Sequence, residues 1–321
     1  MSRYSFKDER VETAVKGLRE EFGEQHVWGT TCDVRNGEDV KKLVSFAKEK
    51  LKYIDIWLDS QSSSLTPSIK HFPSISSFPS TLHSSAIYNS TFSGSYTIVV
   101  DYWPWWIAVT DFLPPSWLSC ERLQRHGILW WLKMINNAGS NAYSYKPLAE
   151  ASDEDLIEVV TTNTLGLMIC CREAIKLMGN QPRGGHIFNI DGAGSDGRPT
   201  PRFAAYGATK RSVVHLTKSL QAELQMQDVK NVMVHNLSPG MVTTDLLMSG
   251  ANTKQAKFFI NVLAEPAEVV AEYLVPNIRS IPTNRSMKPT YIRFLTGLKA
   301  YSQIFSRFAF GARRNRYIIE D

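Results

Sequence analysis

Tyr206 and Lys210 stand four residues apart at the start of a helical pattern, so their side chains share one face about a turn apart. A free phenol ionises at about 10, and an ammonium held within a few ångströms favours the phenolate. A tyrosine tuned in this way hands a proton to a carbonyl oxygen as hydride reaches the carbon. Alone, Tyr-x-x-x-Lys reads as a surface pair. Here it follows a strand and a glycine-rich loop, with Asn136-Asn137-Ala138-Gly139 at the end of an earlier strand and Asn163 in the intervening helix. Ser238-Pro239-Gly240-Met241-Val242-Thr243-Thr244 follows a later strand.

The glycine-rich loop also matches a phosphate-binding pattern, Gly-x-Gly-x-x-Gly over 192–197. That pattern needs to open a helix whose first amides face a pyrophosphate. This one runs into Arg198-Pro199-Thr200-Pro201, which cannot begin that helix, so it reads as part of the catalytic loop.

The elements that must position these residues follow from periodicity. Val11, Ala14, Val15 and Leu18 recur at helical spacing and are closed by Gly23, and a short strand over 26–34 follows. A second helix puts Val40, Leu43, Val44 and Ala47 on one face, and 53–57 begins a buried strand. Further on, Ser152 with Asp155 forms a capping box opening a long helix to about Met178. A strand over 185–190 leads to the helix of Tyr206, and another strand over 232–237 ends at Pro239-Gly240. Pro266 then starts a helix expected to stop before Pro276. Alternating strands and helices argue an α/β class with helices covering a mainly parallel sheet.

Residues 58–134 break this grammar, with sixteen serines, six prolines and six of the eight tryptophans but few charges and no sustained period. The apolar stretch over 96–113 is interrupted by Asp101, Pro104 and Asp111, each costly in a bilayer, and is not read as a membrane span. Net charge is +5, and nine Lys or Arg lie between Arg279 and Arg316, which makes a local basic surface rather than a basic protein. Four cysteines without Cys-x-x-Cys spacing give neither a secreted disulfide framework nor a metal site, and point to a reducing compartment. The first eight residues carry no signal or transit pattern, and no motif supports nucleic-acid binding.

The four features around Tyr206, in their order, resemble the short-chain dehydrogenase/reductase family, over about residues 8–57 and 135–280. The resemblance implies a Rossmann-like doubly wound parallel sheet with helices on both faces. It implies that Asn136, Ala138 and Gly139 line the cofactor, that Asn163 holds a proton-relay water and that Tyr206 is the acid. Lys210 would bond the nicotinamide ribose, Pro239, Gly240, Val242 and Thr244 would grip the nicotinamide, and Asp33 would contact the adenine. The family serine thirteen residues before the tyrosine is Ala193 here, and its role is carried to Ser195, eleven before, with a solvated turn as the alternative. The string Asp-Gly-Ala-Gly-Ser-Asp-Gly over 191–197, together with 204–210 and 273–279, is similar to the plant chlorophyll(ide) b reductases. That similarity implies NADPH as cofactor and the formyl group of chlorophyll b or chlorophyllide b as substrate. It implies a chloroplast setting, stromal or peripheral on thylakoids, with a membrane-spanning paralogous reductase and light-harvesting complexes as partners, and leaves homo- or hetero-oligomers open. Leu246, Leu247, Met248, Phe258 and Phe259 read either as an apolar lid over a chlorin ring or as plain helix packing. Aromatic and basic residues over 291–317 suit an anionic membrane surface or a solvated helix.

Against this pattern, the first strand-helix-strand unit is missing, and the chain opens at Ser2-Arg3, where Arg3 would meet the 2′-phosphate of NADP. The apolar run at Ile56-Trp57 would in the family lead directly into Ile135-Asn136, so 58–134 falls inside what should be one central strand. It is either a lid or partner-binding insertion or non-native sequence such as a translated intron, and composition favours the second. The expected organisation is a partial Rossmann-like segment over 1–57, the anomalous 58–134, the catalytic part over 135–280 and a basic aromatic extension over 281–321.

Overall fold

The computed structural model describes residues 27–50, 56–60, 96–100, 132–136, 139–142, 145–182, 184–248, 250–283 and 288–320, with 12, 13, 15–17, 19, 20 and 24 before them. In chain order the strands are β1 (Val27–Thr31), β2 (Ile56–Ser60), β3 (Tyr96–Val100), β4 (Leu132–Asn136), β5 (Gly185–Ile190), β6 (Val232–Ser238) and β7 (Tyr291–Arg293). They form one sheet in the order β1-β3-β2-β4-β5-β6-β7. From β2 through β7 by way of β4, β5 and β6 every pairing is parallel, whereas β3 runs antiparallel to both β1 and β2.

Helices cover both faces, because adjacent residues on a strand point to opposite sides. Ile187 of β5 packs with Val232 and Val234 of β6 into a cluster built from three helices. These are α1 (Gly37–Lys50), α3 (Leu167–Gly179) and α4 (Ala204–Met226), which contribute Val40, Leu43, Cys171, Met178 and Leu224. Phe188, the next residue of β5, faces the other way with Leu237 into a cluster formed by Val270, Leu274, Ile278 and Ile281 of α7 (Ala267–Thr283) and by Phe294. The sheet is therefore doubly wound, as the resemblance implied.

Ser152 caps its helix as read, its hydroxyl accepting from the Asp155 amide at 3.2 Å. The helix is not uniform: α2 (Asp153–Val160) passes into a π-helical turn, Thr161–Gly166, before continuing as α3.

Two expectations are corrected. The helix from Pro266 does not stop before Pro276 but runs to Thr283. Pro276 removes one helical amide donor, and the apolar stripe Leu274, Ile278 and Ile281 buried on Phe188 and Leu237 outweighs that loss. Ile56 and Ile135 do not lie on one strand: β2 and β4 are neighbours in parallel register, with Leu58 opposite Ile135. Parallel neighbours need a long crossover, and the chain between them is long enough to provide one. Within it, 96–100, which has no period of its own in sequence, pairs β1 to β2.

Candidate active site

The candidate residues gather beyond the carboxyl ends of β4, β5 and β6, the edge where open α/β sheets bind ligands. Tyr206 and Lys210 lie on the first turns of α4, with the Lys210 ammonium 5.7 Å from the Tyr206 ring centroid. Lys210 is 5 % exposed and donates to the Ile190 carbonyl at 3.3 Å. The loop after β5 presses closely on the pair. A Cβ at Gly192 would stand 2.6 Å from the Tyr206 hydroxyl oxygen and 3.2 Å from Lys210 Cγ, so only glycine lets this backbone approach.

Asn163 sits in the π-turn, a distortion that recurs at functional sites. Its side-chain oxygen accepts from the Ser140 amide at 2.7 Å, and its Nδ2 donates to the Ser140 carbonyl at 2.7 Å and to Thr209 Oγ1 at 3.0 Å. Thr209 in turn donates to the Tyr206 carbonyl at 2.7 Å, so Asn163 ties the loop after β4 to the first turn of α4. Below it, Asn189 of β5 donates to Thr217 and Thr217 to Asn236 of β6, at 2.9 and 3.0 Å. A fully satisfied buried network of this kind fixes α4 against the sheet.

Electrostatics differ from the expectation that Lys210 lowers the Tyr206 pKa. Desolvation of the phenol, followed by the charge of Asp191 and then by Tyr145, pushes Tyr206 well above the ordinary range for tyrosine. Desolvation brings Lys210 down to about 8, against the opposing pull of Asp191. Tyr206 is thus held protonated, the state a proton donor needs.

Ser195 is buried, but its hydroxyl donates to Asp191 Oδ2 at 3.2 Å and its carbonyl accepts from Arg211 at 2.7 Å. Asp191 also accepts a short hydrogen bond from the Tyr291 hydroxyl. Asp191 and Tyr291 were not assigned roles from sequence; a carboxylate buried directly after a strand end, inside a quoted motif, was the available signal. Tyr145 was likewise missed. Asn141 donates to its hydroxyl at 2.9 Å, Phe203 packs edge-on at 4.5 Å, and a Cβ at Gly250 would collide with its ring.

After β6, Gly240 adopts φ +76, and a Cβ there would meet Leu295 at 2.6 Å. Val242 forms a parallel bridge to Glu265, with the Thr243 amide donating to the Glu265 carbonyl and the Glu265 amide to the Met241 carbonyl, both at 3.0 Å. Glu265 is held by Arg313 at 2.7 Å and Arg316 at 2.8 Å, which fastens the chain's last turns to this bend. Of the proposed lid, Leu246, Leu247 and Met248 lie on the short α5 (Asp245–Met248), whereas Phe258 on α6 (Lys254–Leu263) meets Phe259 edge-on and Phe308 of α8 (Gly297–Phe310) at a tilt, so Phe258 serves helix packing.

The remaining candidates are placed unevenly. Asp33 lies just past β1 with its carboxylate held by Arg35 at 2.8 and 2.6 Å. Asn136 ends β4 opposite Asn189, and Gly139 begins the loop that Asn163 holds. Arg3 and Ala138 lie outside the described residues. The nicotinamide end fits a cofactor: the buried Lys210 ammonium has one hydrogen bond to Ile190 and further N–H donors, beside the glycine-shaped bend at Gly240. Among the described residues no glycine-rich turn opens a helix toward a pyrophosphate.

Comparison with known proteins bears on this geometry. The short chain dehydrogenase family pattern matches residues 120–255. The chain is 64 % identical over 98 % of its length to the chloroplastic chlorophyll(ide) b reductase NOL of Oryza sativa subsp. japonica, spanning 69 % of that protein. It is 63 % identical over 98 % of its length to the protein of the same name in Arabidopsis thaliana, spanning 68 % of it. The probable chlorophyll(ide) b reductase NYC1 of Oryza sativa subsp. japonica is 34 % identical over 85 % of the chain, which spans 38 % of that protein. In fold, a short chain dehydrogenase/reductase from Burkholderia phymatum solved with NAD superposes with a TM-score of 0.55 at 18 % identity, covering 94 % of this chain and 81 % of the other.

Proposed function

Because the chain belongs to the short-chain dehydrogenase family, we propose that it reduces the formyl group of chlorophyll b or chlorophyllide b to hydroxymethyl with NADPH. The observation that carries this reading is identity of 63–64 % sustained over 98 % of the chain with two plant chlorophyll(ide) b reductases. The active-site chemistry supports it, since an aldehyde needs one positioned acid at oxygen and one hydride at carbon.

Tyr206 is the acid in this reading. Kept protonated by burial, it donates from its hydroxyl to the formyl oxygen, and the Lys210 ammonium then favours the phenolate left behind. NADPH, when bound, supplies the hydride to the formyl carbon. Lys210 would hold its ribose, and Pro239, Gly240, Val242 and Thr244 its nicotinamide. Asn136, Ala138 and Gly139 would line it, with Asp33 on the adenine and Arg3 on the 2′-phosphate. Asn163 keeps the loop after β4 and the first turn of α4 in register, and Ser195 acts through Asp191. The enclosed position of the pair excludes water from the developing alkoxide.

We place the activity in the chloroplast, in line with the relatives' names, and within it on the thylakoid surface or in the stroma as this reading's own extension. Among the described residues no helix is long and apolar enough to cross a membrane. The exposed Leu298, Tyr301, Phe305 and Phe308 of α8 recur on one helical face and suit a peripheral contact with the membrane, the membrane-spanning paralogue or a light-harvesting complex. A second reading is a variant that binds pigment or partners without turnover.

Titrating the purified chain with NADPH and then offering chlorophyllide b beside a simple aldehyde separates the readings. Micromolar affinity with preferential loss of chlorophyllide b is expected. No detectable affinity moves this chain to the second reading, and preference for the simple aldehyde overturns the substrate.

A further inference from the structure

The loop position nearest the Tyr206 hydroxyl is a glycine that has no room for a side chain, and the nearby serine is turned toward a carboxylate. That carboxylate, Asp191, is 3 % exposed. Its Oδ2 accepts from Tyr291 of β7 and from Ser195, with the Ser238 hydroxyl of β6 close by. Its Oδ1 is buried and has no hydrogen-bond partner. Immediately before it, the Ile190 carbonyl receives the Lys210 ammonium at 3.3 Å. The hydrogen bond this ammonium makes is to that neutral carbonyl, and its counter-charge is the through-space one of Asp191. An isolated ammonium in such a place is strongly destabilised unless an opposite charge faces it.

We propose that Asp191 is the positioning residue that keeps Lys210 charged in its buried seat, so that a carboxylate, rather than a loop serine, sets the pH range over which Tyr206 delivers its proton. The inference rests on Tyr206 and Lys210 being the acid pair, and deepens that reading. The titratable groups facing this cluster are Tyr206 and Lys210 from α4, Tyr145 from the loop after β4 and Tyr291 from β7. The nearby guanidiniums are Arg211, on the Ser195 carbonyl, and Arg293, 3.8 Å from the Tyr291 ring. Only Asp191 among these opposes desolvation of Lys210. Burial raises the Asp191 pKa above the ordinary carboxylate value, and the Tyr291, Ser238 and Ser195 hydroxyls together with the Lys210 charge oppose that rise and favour the anion the role requires.

The sign of the effect is fixed by this arrangement. Lys210 loses its proton at about 8, so reduction falls as pH rises through that value. Asp191→Asn removes the counter-charge and moves the alkaline limb of kcat/KM down by ~1 pH unit, while the rate at the variant's own optimum stays within about tenfold of the parent. A readout without turnover accompanies it. The variant melts below the parent at pH 7, where Lys210 is charged, and the gap closes by pH 10, where it is neutral. A rate lowered evenly at every pH, or a melting gap that does not change with pH, would falsify the proposal. If chlorophyllide b is not reduced at any pH, the reductase reading fails and the melting comparison still decides the role of Asp191. Should Asp191→Asn not fold, Tyr291→Phe carries the test. It keeps the charge but removes a donor, so Asp191 protonates at higher pH and the acid limb moves up with the alkaline limb in place. An immobile acid limb in that variant overturns the proposal.

Discussion

The two halves of the sheet are built differently. From β4 to β7 every strand is parallel, and a helix separates each strand from the next, so all four carboxyl ends open on one edge. Gly139 follows β4, Asp191 and Gly192 follow β5, and the bend from Pro239 to Thr244 follows β6. In the other half β3 runs against both neighbours, with Val27 opposite Val100, so its carboxyl end faces the opposite edge. An antiparallel strand cannot bring the loop that follows it to the ligand edge. The chemistry is therefore concentrated where strand and helix alternate, and Asp33, the described candidate from the other half, is occupied by Arg35.

Tyr206→Phe breaks the catalytic half most severely. Removing the hydroxyl takes away the proton donor and leaves the ring, so reduction falls by about 10²–10⁴-fold while NADPH affinity holds within about threefold. Steady-state rates and a fluorescence titration measure the two quantities. Retained turnover removes Tyr206 from the mechanism.

Acid attacks the same half through its core. His186 Nδ1 and His235 Nε2 lie 3.0 Å apart in the interior, and Thr290 meets His235 Nδ1 at 2.8 Å. Burial, then the neighbouring His186, pushes His235 down to about 3. In the unfolded chain a histidine takes up a proton near the ordinary value of about 6.5, whereas the folded chain refuses it until about pH 3. Stability from this group is therefore full above the unfolded value and lost as pH falls toward the folded one, on the order of 5 kcal/mol in total. Urea midpoints at pH 7, 5.5 and 4 check this, and equal midpoints across that range contradict it.

A smaller effect is expected at the seam that closes the catalytic half. Glu265 carries Arg313 and Arg316 on its carboxylate while its backbone holds the bend at Val242. Glu265→Gln keeps the shape and removes the charge, leaving two guanidiniums with weakened acceptors. Because both arginines retain some solvent, the loss is set at about 1–2 kcal/mol. Thermal melting reads that loss, and a severalfold weaker NADPH affinity would accompany it if the bend grips the nicotinamide. Unchanged affinity with lowered melting would confine Glu265 to holding the tail.

Much of the catalytic half is legible in sequence because local chemistry specifies it. Ser152 caps its helix, Tyr206 and Lys210 share a face through helical spacing, and the glycines after β5 and β6 mark tight approaches. What escapes sequence is tertiary. Asp191 meets Tyr291 from one hundred residues away, and Glu265 meets arginines about fifty residues on. No periodicity encodes such pairs. Desolvation is likewise invisible in spacing, and it reversed the expected direction for Tyr206. Helix propensity misled at Pro276, where burial of the apolar stripe prevails.

The smallest effect is expected from the largest change. Joining Trp57 to Ile135 and omitting 58–134 removes β3 and the parts of β2 and β4 beyond the junction, yet among the described residues the contacts that hold Tyr206 and Lys210 come from Ser140, Asn163, Ile190 and Gly192, all after Gly139. The joined run Ile56-Trp57-Ile135-Asn136 keeps an apolar strand of ordinary length to pair with β5, whose other neighbour, β6, is untouched. Sixteen serines and six tryptophans leave with the segment, so tryptophan emission falls sharply. Helical circular dichroism per chain is expected to stay nearly constant and soluble yield to rise. A loss of helical signal or of soluble protein would show that the antiparallel half supports the catalytic one, and the two halves would then have to be treated as one cooperative unit.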